Sequence, residues 1–147
     1  MKKAEQAVMY FRQTFSCSQS VFSVYATEFG VDFETALKIA GAFGGGMARM
    51  GHTCGAVTGA FMAIGLVFGK AKKDDESAKE KTYGIVREFV ERFKSINGSI
   101  VCRELTGCDI STPEGLNAFK ERNIIETHCT KYVRDAAEIL DKLIISR

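Results

Sequence analysis

The stretch Gly51-His52-Thr53-Cys54-Gly55-Ala56-Val57-Thr58-Gly59-Ala60-Phe61-Met62-Ala63-Ile64-Gly65-Leu66-Val67-Phe68-Gly69 decides the fold class. From Gly55 to Gly69 it carries no charge and runs fifteen residues, short of the roughly 20 that a helix needs to cross a bilayer. It reads as a buried central helix that begins at Cys54 and is capped by Thr53. Small residues at 55, 56, 59 and 60 give it a bare face on which another helix or a cofactor can approach the backbone closely.

Helical signals extend outward in both directions. Upstream, Ala7, Val8, Phe11 and Phe15 pattern a first helix, and a second starts near Cys17 and runs through Val21, Val24 and Tyr25 to a stop at Gly30. Asp32 is a natural N-cap for a third helix reaching Phe43, which Gly44-Gly45-Gly46 breaks. Downstream, Lys70 to Lys81 mixes lysines with Asp74, Asp75, Glu76 and Glu80 and reads as a solvated linker. Tyr83, Val86, Val90 and Phe93 then recur at spacings of three and four, an amphipathic helix ending before Gly98. Cys102 opens a brief helical turn closed by Gly107, and Pro113 after Thr112 suits the first turn of another short helix. Thr127 or His128 starts a last helix in which Cys129, Val133, Ala136, Ala137, Leu140 and Ile144 share one face. The expected fold is all-α: one domain over residues 1–147, with about six or seven helices around the central glycine-rich one.

Composition narrows the function classes. The chain of 147 residues is 46% hydrophobic and 26% charged, and its 20 basic and 18 acidic residues leave a net charge of +2, the profile of a folded globular domain. No basic stripe marks a nucleic-acid binder. Met1-Lys2-Lys3 runs straight into Glu5, Gln6, Arg12 and Gln13 without the apolar core of a secretion signal, so the expected compartment is the cytoplasm. The five cysteines then argue against a disulfide framework, since thiols stay reduced there and an odd number cannot all pair within one molecule.

The cysteines are the chemistry-bearing residues. Cys17, Cys54 and Cys129 fall at or beside the expected start of a helix, and Cys102 opens a helical turn. Free N–H groups and the positive end of the helix dipole lower a thiol's pKa, and they suit reactive thiolates and anionic iron–sulfur clusters alike. Cysteine is also among the most buried residue types, which is the competing explanation at each position taken singly. There is no C-x-x-C, and neither a zinc-finger nor a common ferredoxin pattern can be written on the chain, so any site is assembled by tertiary folding. Both histidines lie beside cysteines: His52 two residues before Cys54, His128 directly before Cys129. They are candidate ligands, proton partners or pKa tuners. Gly46 to Thr53 imitates a phosphate loop, but His52 stands where that motif needs lysine and no strand is expected before it.

The ordered set Cys17, Cys54-Gly55-Ala56-x-x-Gly59, Cys102 and Cys129 resembles the bacterial and archaeal family named for its C, GCAxxG, C, C motif. The resemblance spans nearly the whole chain and extends to Gly44-Gly45-Gly46, Cys102-Arg103-Glu104-Leu105 and Tyr132-Val133-Arg134-Asp135-Ala136. One departure is visible: the family name places glycine before the central cysteine, whereas Thr53 stands there and glycine follows at Gly55. The resemblance implies a redox protein with Cys17, Cys54, Cys102 and Cys129 as its four cysteines. Four thiolates are the set that a [2Fe–2S] or [4Fe–4S] cluster requires, with Gly55, Gly59, His52 and His128 as candidates around it. The resulting expectation is electron transfer or redox sensing through such a cluster. The alternatives are a cluster-free thiol/disulfide protein, structural zinc on the same ligands, and a helical binding module with incidental cysteines. The fifth, Cys108, is then a spare thiol, unless it pairs with Cys102 across the intervening turn. A redox partner is expected without being identified, a homo-oligomer stays open, and neither nucleic acid nor a membrane span is expected.

Overall fold

The computed structural model describes residues 1–145. Its helices are α1 (Lys3–Arg12), α2 (Cys17–Glu28), α3 (Phe33–Ala40), α4 (Gly55–Phe68), α5 (Glu76–Asn97), α6 (Cys102–Thr106), α7 (Pro113–Glu121) and α8 (Thr130–Ile145). A wide π turn, Ile125–Cys129, leads into α8. The all-α expectation holds: the described residues form eight helices, one of them of little more than a turn, against the six or seven expected. Among the described residues, extended backbone pairs only at an isolated antiparallel bridge between Thr53 and Val101, and no helix is long and apolar enough to cross a membrane.

The central helix is where the sequence puts it. Ala56, Val57, Ala60, Ala63 and Ile64 of α4 are wholly buried, and the helix is enclosed by α2, α5 and α8. Its bare face receives α2. A Cβ at Gly59 would stand 2.8 Å from the Ser18 carbonyl oxygen and 3.1 Å from the Ser18 Cα, and one at Gly55 would stand 3.1 Å from the Cys17 Cβ. At Gly59, close helix packing accounts for the glycine. The close approach brings the start of α2, and with it Cys17, against the start of α4.

Five local readings are corrected. α3 stops at Ala40 instead of Phe43, and from Gly45 to Arg49 the backbone is left-handed at five successive residues. Such a turn costs about 1–2 kcal/mol at each residue with a Cβ, so glycine at 45 and 46 relieves two positions of that cost. Cys54, not Thr53, is the N-cap of α4; Thr53 is taken up in the bridge to Val101. Flanking that bridge, Cys54 N–H donates to Ile100 C=O (2.7 Å) and Cys102 N–H to His52 C=O (2.6 Å), which fastens two cysteine segments side by side. The supposed linker is helical from Glu76, because the Asp75 carboxylate accepts from Ala78 N–H (3.1 Å) and caps α5. The buried stripe of α5 is Ile85, Phe89 and Phe93, while Tyr83 is half exposed. That stripe wins because its rings meet aromatic partners: Phe89 packs on Phe61 of α4 (centroids 6.1 Å apart) and Phe93 on Tyr132 of α8 (6.1 Å).

The last correction concerns Cys129. The helical path already begins near Ile124, so Cys129 closes a π turn instead of starting a helix. A π turn holds one residue more than an α turn and shifts the facing of what precedes it; such turns are frequent at functional sites. Cys129 does lie on the buried side expected for it, with Val133, Ala136, Ala137 and Leu140.

Candidate functional site

Cys17, Cys54, Cys102 and Cys129 all line one cleft of about 770 Å³. Four different pieces of chain deliver them. Cys17 is the first residue of α2, fixed by a capping box in which Ser16 Oγ accepts from Gln19 N–H (3.3 Å) and Gln19 Oε1 from Ser16 N–H (3.0 Å). Cys54 caps α4, Cys102 opens α6, and Cys129 ends the π turn. Gly46 sits tightly behind Cys102: a Cβ there would lie 2.7 Å from both the Cys102 Cβ and the His52 nitrogen. The left-handed turn is therefore part of the site's wall, with Gly44, Gly45, Gly46, Ala48 and Arg49 all bordering the cleft.

All five cysteines are free thiols. Cys17 and Cys129 act on each other, with opposite consequences. The interaction with Cys129 puts the Cys17 thiol well above the ordinary range, a rise that burial and the neighbouring Cys54 and Cys102 reinforce. The same interaction lowers Cys129 below the ordinary range, against the effect of burial. Burial pushes Cys54 up to about 12 even though the N–H groups of Ala56 and Val57 pull the other way. Cys102 is pushed up to about 11 by burial and by Cys129, with Arg103 opposing. The expectation that helix starts depress these thiols is met by none of the three that occupy one, because desolvation at Cys54 and Cys102, and Cys129 together with desolvation at Cys17, outweigh the dipole. Among the four, Cys129 alone is shifted downward.

The other candidates are distributed unevenly. Gly55 borders the cleft and Gly59 does not. His52 is exposed and His128 half-buried, with its Nδ1 2.7 Å from Thr127 Oγ1, and neither imidazole lines the cleft. His52 serves the site through its backbone, which accepts from Cys102 N–H. Cys108 is buried outside the cleft, its N–H donating to Thr106 Oγ1 (3.2 Å). Sequence reasoning did not single out the cleft's apolar wall, which includes Phe11, Phe15, Leu116, Phe119 and Ile125. Tyr132, inside one quoted motif, also lines it and donates its hydroxyl to Leu105 C=O (2.8 Å). The half-apolar pattern of α7 was the available signal for Leu116 and Phe119.

Among the described residues, no three His, Cys, Asp or Glu side chains converge closely enough to hold a single metal ion. The donor set of the cleft is nevertheless four sulfurs, the set that an iron–sulfur cluster takes.

Comparison with known proteins agrees with this picture. An uncharacterized protein of Archaeoglobus fulgidus is 30% identical over 120 residues, covering 71% of this chain and 77% of its own. No solved structure matches the chain significantly. The profile of one protein family matches residues 15–143, a span that holds all four cleft cysteines and the Thr53-Cys54-Gly55 variant of the central motif. The chain belongs to that family, described as "Putative redox-active protein (C_GCAxxG_C_C)".

Proposed function

We propose that this is an electron-transfer or redox-sensing protein in which Cys17, Cys54, Cys102 and Cys129 hold an iron–sulfur cluster. The observation that carries the reading is the meeting of four thiols, from four separate segments, on one largely apolar cleft. When bound, the cluster supplies reversible one-electron chemistry. The chain's part is to present sulfur, exclude water and give up thiol protons. Burial opposes charging Cys17, Cys54 and Cys102 one at a time, so they suit ligation, in which a cation takes each proton's place. Thiols that line a shared space without converging on one point suit a cluster, whose separate irons each take their own thiolates, better than a single tetrahedral zinc. His52 and His128 then act, if at all, on the outer surface of the site.

The test is anaerobic purification followed by iron and acid-labile sulfide analysis and visible spectroscopy. The expected result is bound iron with sulfide and a visible charge-transfer band. Cys108→Ser should keep it, whereas serine at any of the four cleft cysteines should reduce or abolish it. Colourless, iron-free anaerobic protein would refute the cluster.

A second reading has its own observation, the placement of Cys17 and Cys129 on one cleft with opposed shifts that each causes in the other. A protonated thiol beside a low-pKa thiolate is the arrangement of a dithiol that cycles to a disulfide, releasing two electrons and two protons to an acceptor. Iron-free protein in which mild oxidation joins Cys17 to Cys129, by mass mapping, would favour it.

A further inference from the structure

The cleft has more wall than four thiols use. Its volume of about 770 Å³ is that of a small-molecule site, about 300–1,000 Å³. The part that carries no sulfur is apolar, supplied chiefly by Phe11, Phe15, Leu116 and Phe119. Helix α7 buries no residue completely, and its Leu116 and Phe119, partly buried against the core, also border the cleft. Charge is placed at the edge. Arg12 is neutralised by Glu126 across 3.0 Å. Arg49 and Lys120 also border the cleft, both exposed, and neither has an ion-pair partner among the described residues.

We propose that the cleft binds an organic anion with an apolar body of one or two rings, its charge held by Arg49 and Lys120 and its rings against Phe119 and Leu116. Two uncompensated cations above an apolar wall select this class over neutral or cationic molecules of the same shape. The ligand would lie beside the sulfurs, in reach of whatever redox chemistry they carry. The inference goes beyond the redox reading, because it rests on walls that hold no thiol.

The test uses the full chain, purified anaerobically, with anilinonaphthalene sulfonate as the anionic probe and N-phenylnaphthylamine as its uncharged counterpart. Both are titrated by fluorescence at low salt, with iron measured on the same samples so that loss of a cluster is not mistaken for loss of this site. The expected result is one site per chain that binds the anion roughly fivefold more tightly, the effect of two exposed cations. Arg49→Gln with Lys120→Gln should remove that preference without weakening the neutral probe, whereas Phe119→Ala should weaken both, roughly fivefold. In iron-free, reduced protein, bound sulfonate should also slow alkylation of Cys129 by iodoacetamide. Near-UV circular dichroism checks that each variant is folded, and Leu116→Ala replaces Phe119→Ala if the latter is not. Equal affinity for the two probes, a charge variant without effect, or unchanged Cys129 labelling in iron-free protein with the site saturated would overturn the proposal.

Discussion

Replacing Gly59 with alanine tests the central packing on which the site depends. The new methyl carbon would lie 2.8 Å from the Ser18 carbonyl oxygen, 3.1 Å from the Ser18 Cα and 3.3 Å from the Val21 Cβ, against an optimum of about 3.5–4.0 Å for carbon contacts. Two of those atoms are backbone, and Ser18 cannot step aside easily: it is wholly buried, and its hydroxyl donates to Ala40 C=O at 2.8 Å. Helices α2 and α4 must move apart, and overpacking of this kind costs about 1–3 kcal/mol. Alanine also improves helix propensity by about 1 kcal/mol, which blurs a single measurement. Gly84, inside α5 with nothing within 4 Å of an added Cβ, supplies the control. Gly84→Ala should gain the propensity alone, so the difference between the two variants isolates the steric cost. Urea unfolding of both, followed by far-UV circular dichroism in reducing buffer, should put Gly59→Ala about 1–3 kcal/mol below Gly84→Ala with m unchanged. Equal stabilities would refute the close approach of the two helices, and with it the placement of Cys17 beside the start of α4.

Three further outcomes follow from the site and its supports. Tyr25, buried between α2 and α8, donates to Ala137 C=O (2.7 Å) and lies 2.9 Å from an Asp141 carboxylate oxygen, so Tyr25→Phe should lower stability by about 1–2 kcal/mol in the same unfolding assay. Metal-free reduced protein should weaken as pH rises from about 9 to about 11: Cys54 and Cys102 keep their protons to about 12 and about 11 when folded, while the unfolded chain releases them near its ordinary thiol range. The unfolded state then binds fewer protons, so stability falls with pH, and Cys54→Ser should flatten the slope; a stability independent of pH across that window would contradict the burial of these thiols. In metal-free protein at neutral pH, iodoacetamide should modify Cys129 before the other cleft cysteines, and Cys17→Ala should slow that reaction by removing the neighbour that lowers its pKa. Faster labelling of Cys54, followed by mass mapping, would reverse the assignment.

The sequence by itself determined that the chain is helical, that Gly55 to Gly69 lies at its centre, and which four cysteines follow the family's pattern. Each of these is written in local terms. An uncharged run too short for a membrane has nowhere to go but the core, and the fit of Thr112 and Pro113 to a helix start depends only on neighbouring backbone: the Thr112 hydroxyl accepts from Gly115 N–H at 3.0 Å. Local pattern was less reliable where two stripes on one helix were both apolar. On α5, Tyr83, Val86 and Val90 compete with Ile85 and Phe89, and the rings of Phe61 and Tyr132, distant in sequence, decide between them. The same limit applies to the ends of helices, since Thr53 is claimed by Val101 and cannot cap α4.

Only the tertiary structure decided what the cysteines are to one another. Their spacing names no ligand set, because the four arrive from separate segments, gathered by the Gly59–Ser18 approach, the backbone bonds that join Cys54 to Ile100 and Cys102 to His52, and the π turn at Cys129. It also reversed the expected effect of the helix starts. A dipole is a local property and can be read from a capping residue, whereas desolvation depends on everything folded around the sulfur. At Cys17, Cys54 and Cys102 desolvation and the neighbouring thiols prevail, and the thiol shifted downward is the one that closes the π turn, through its interaction with Cys17.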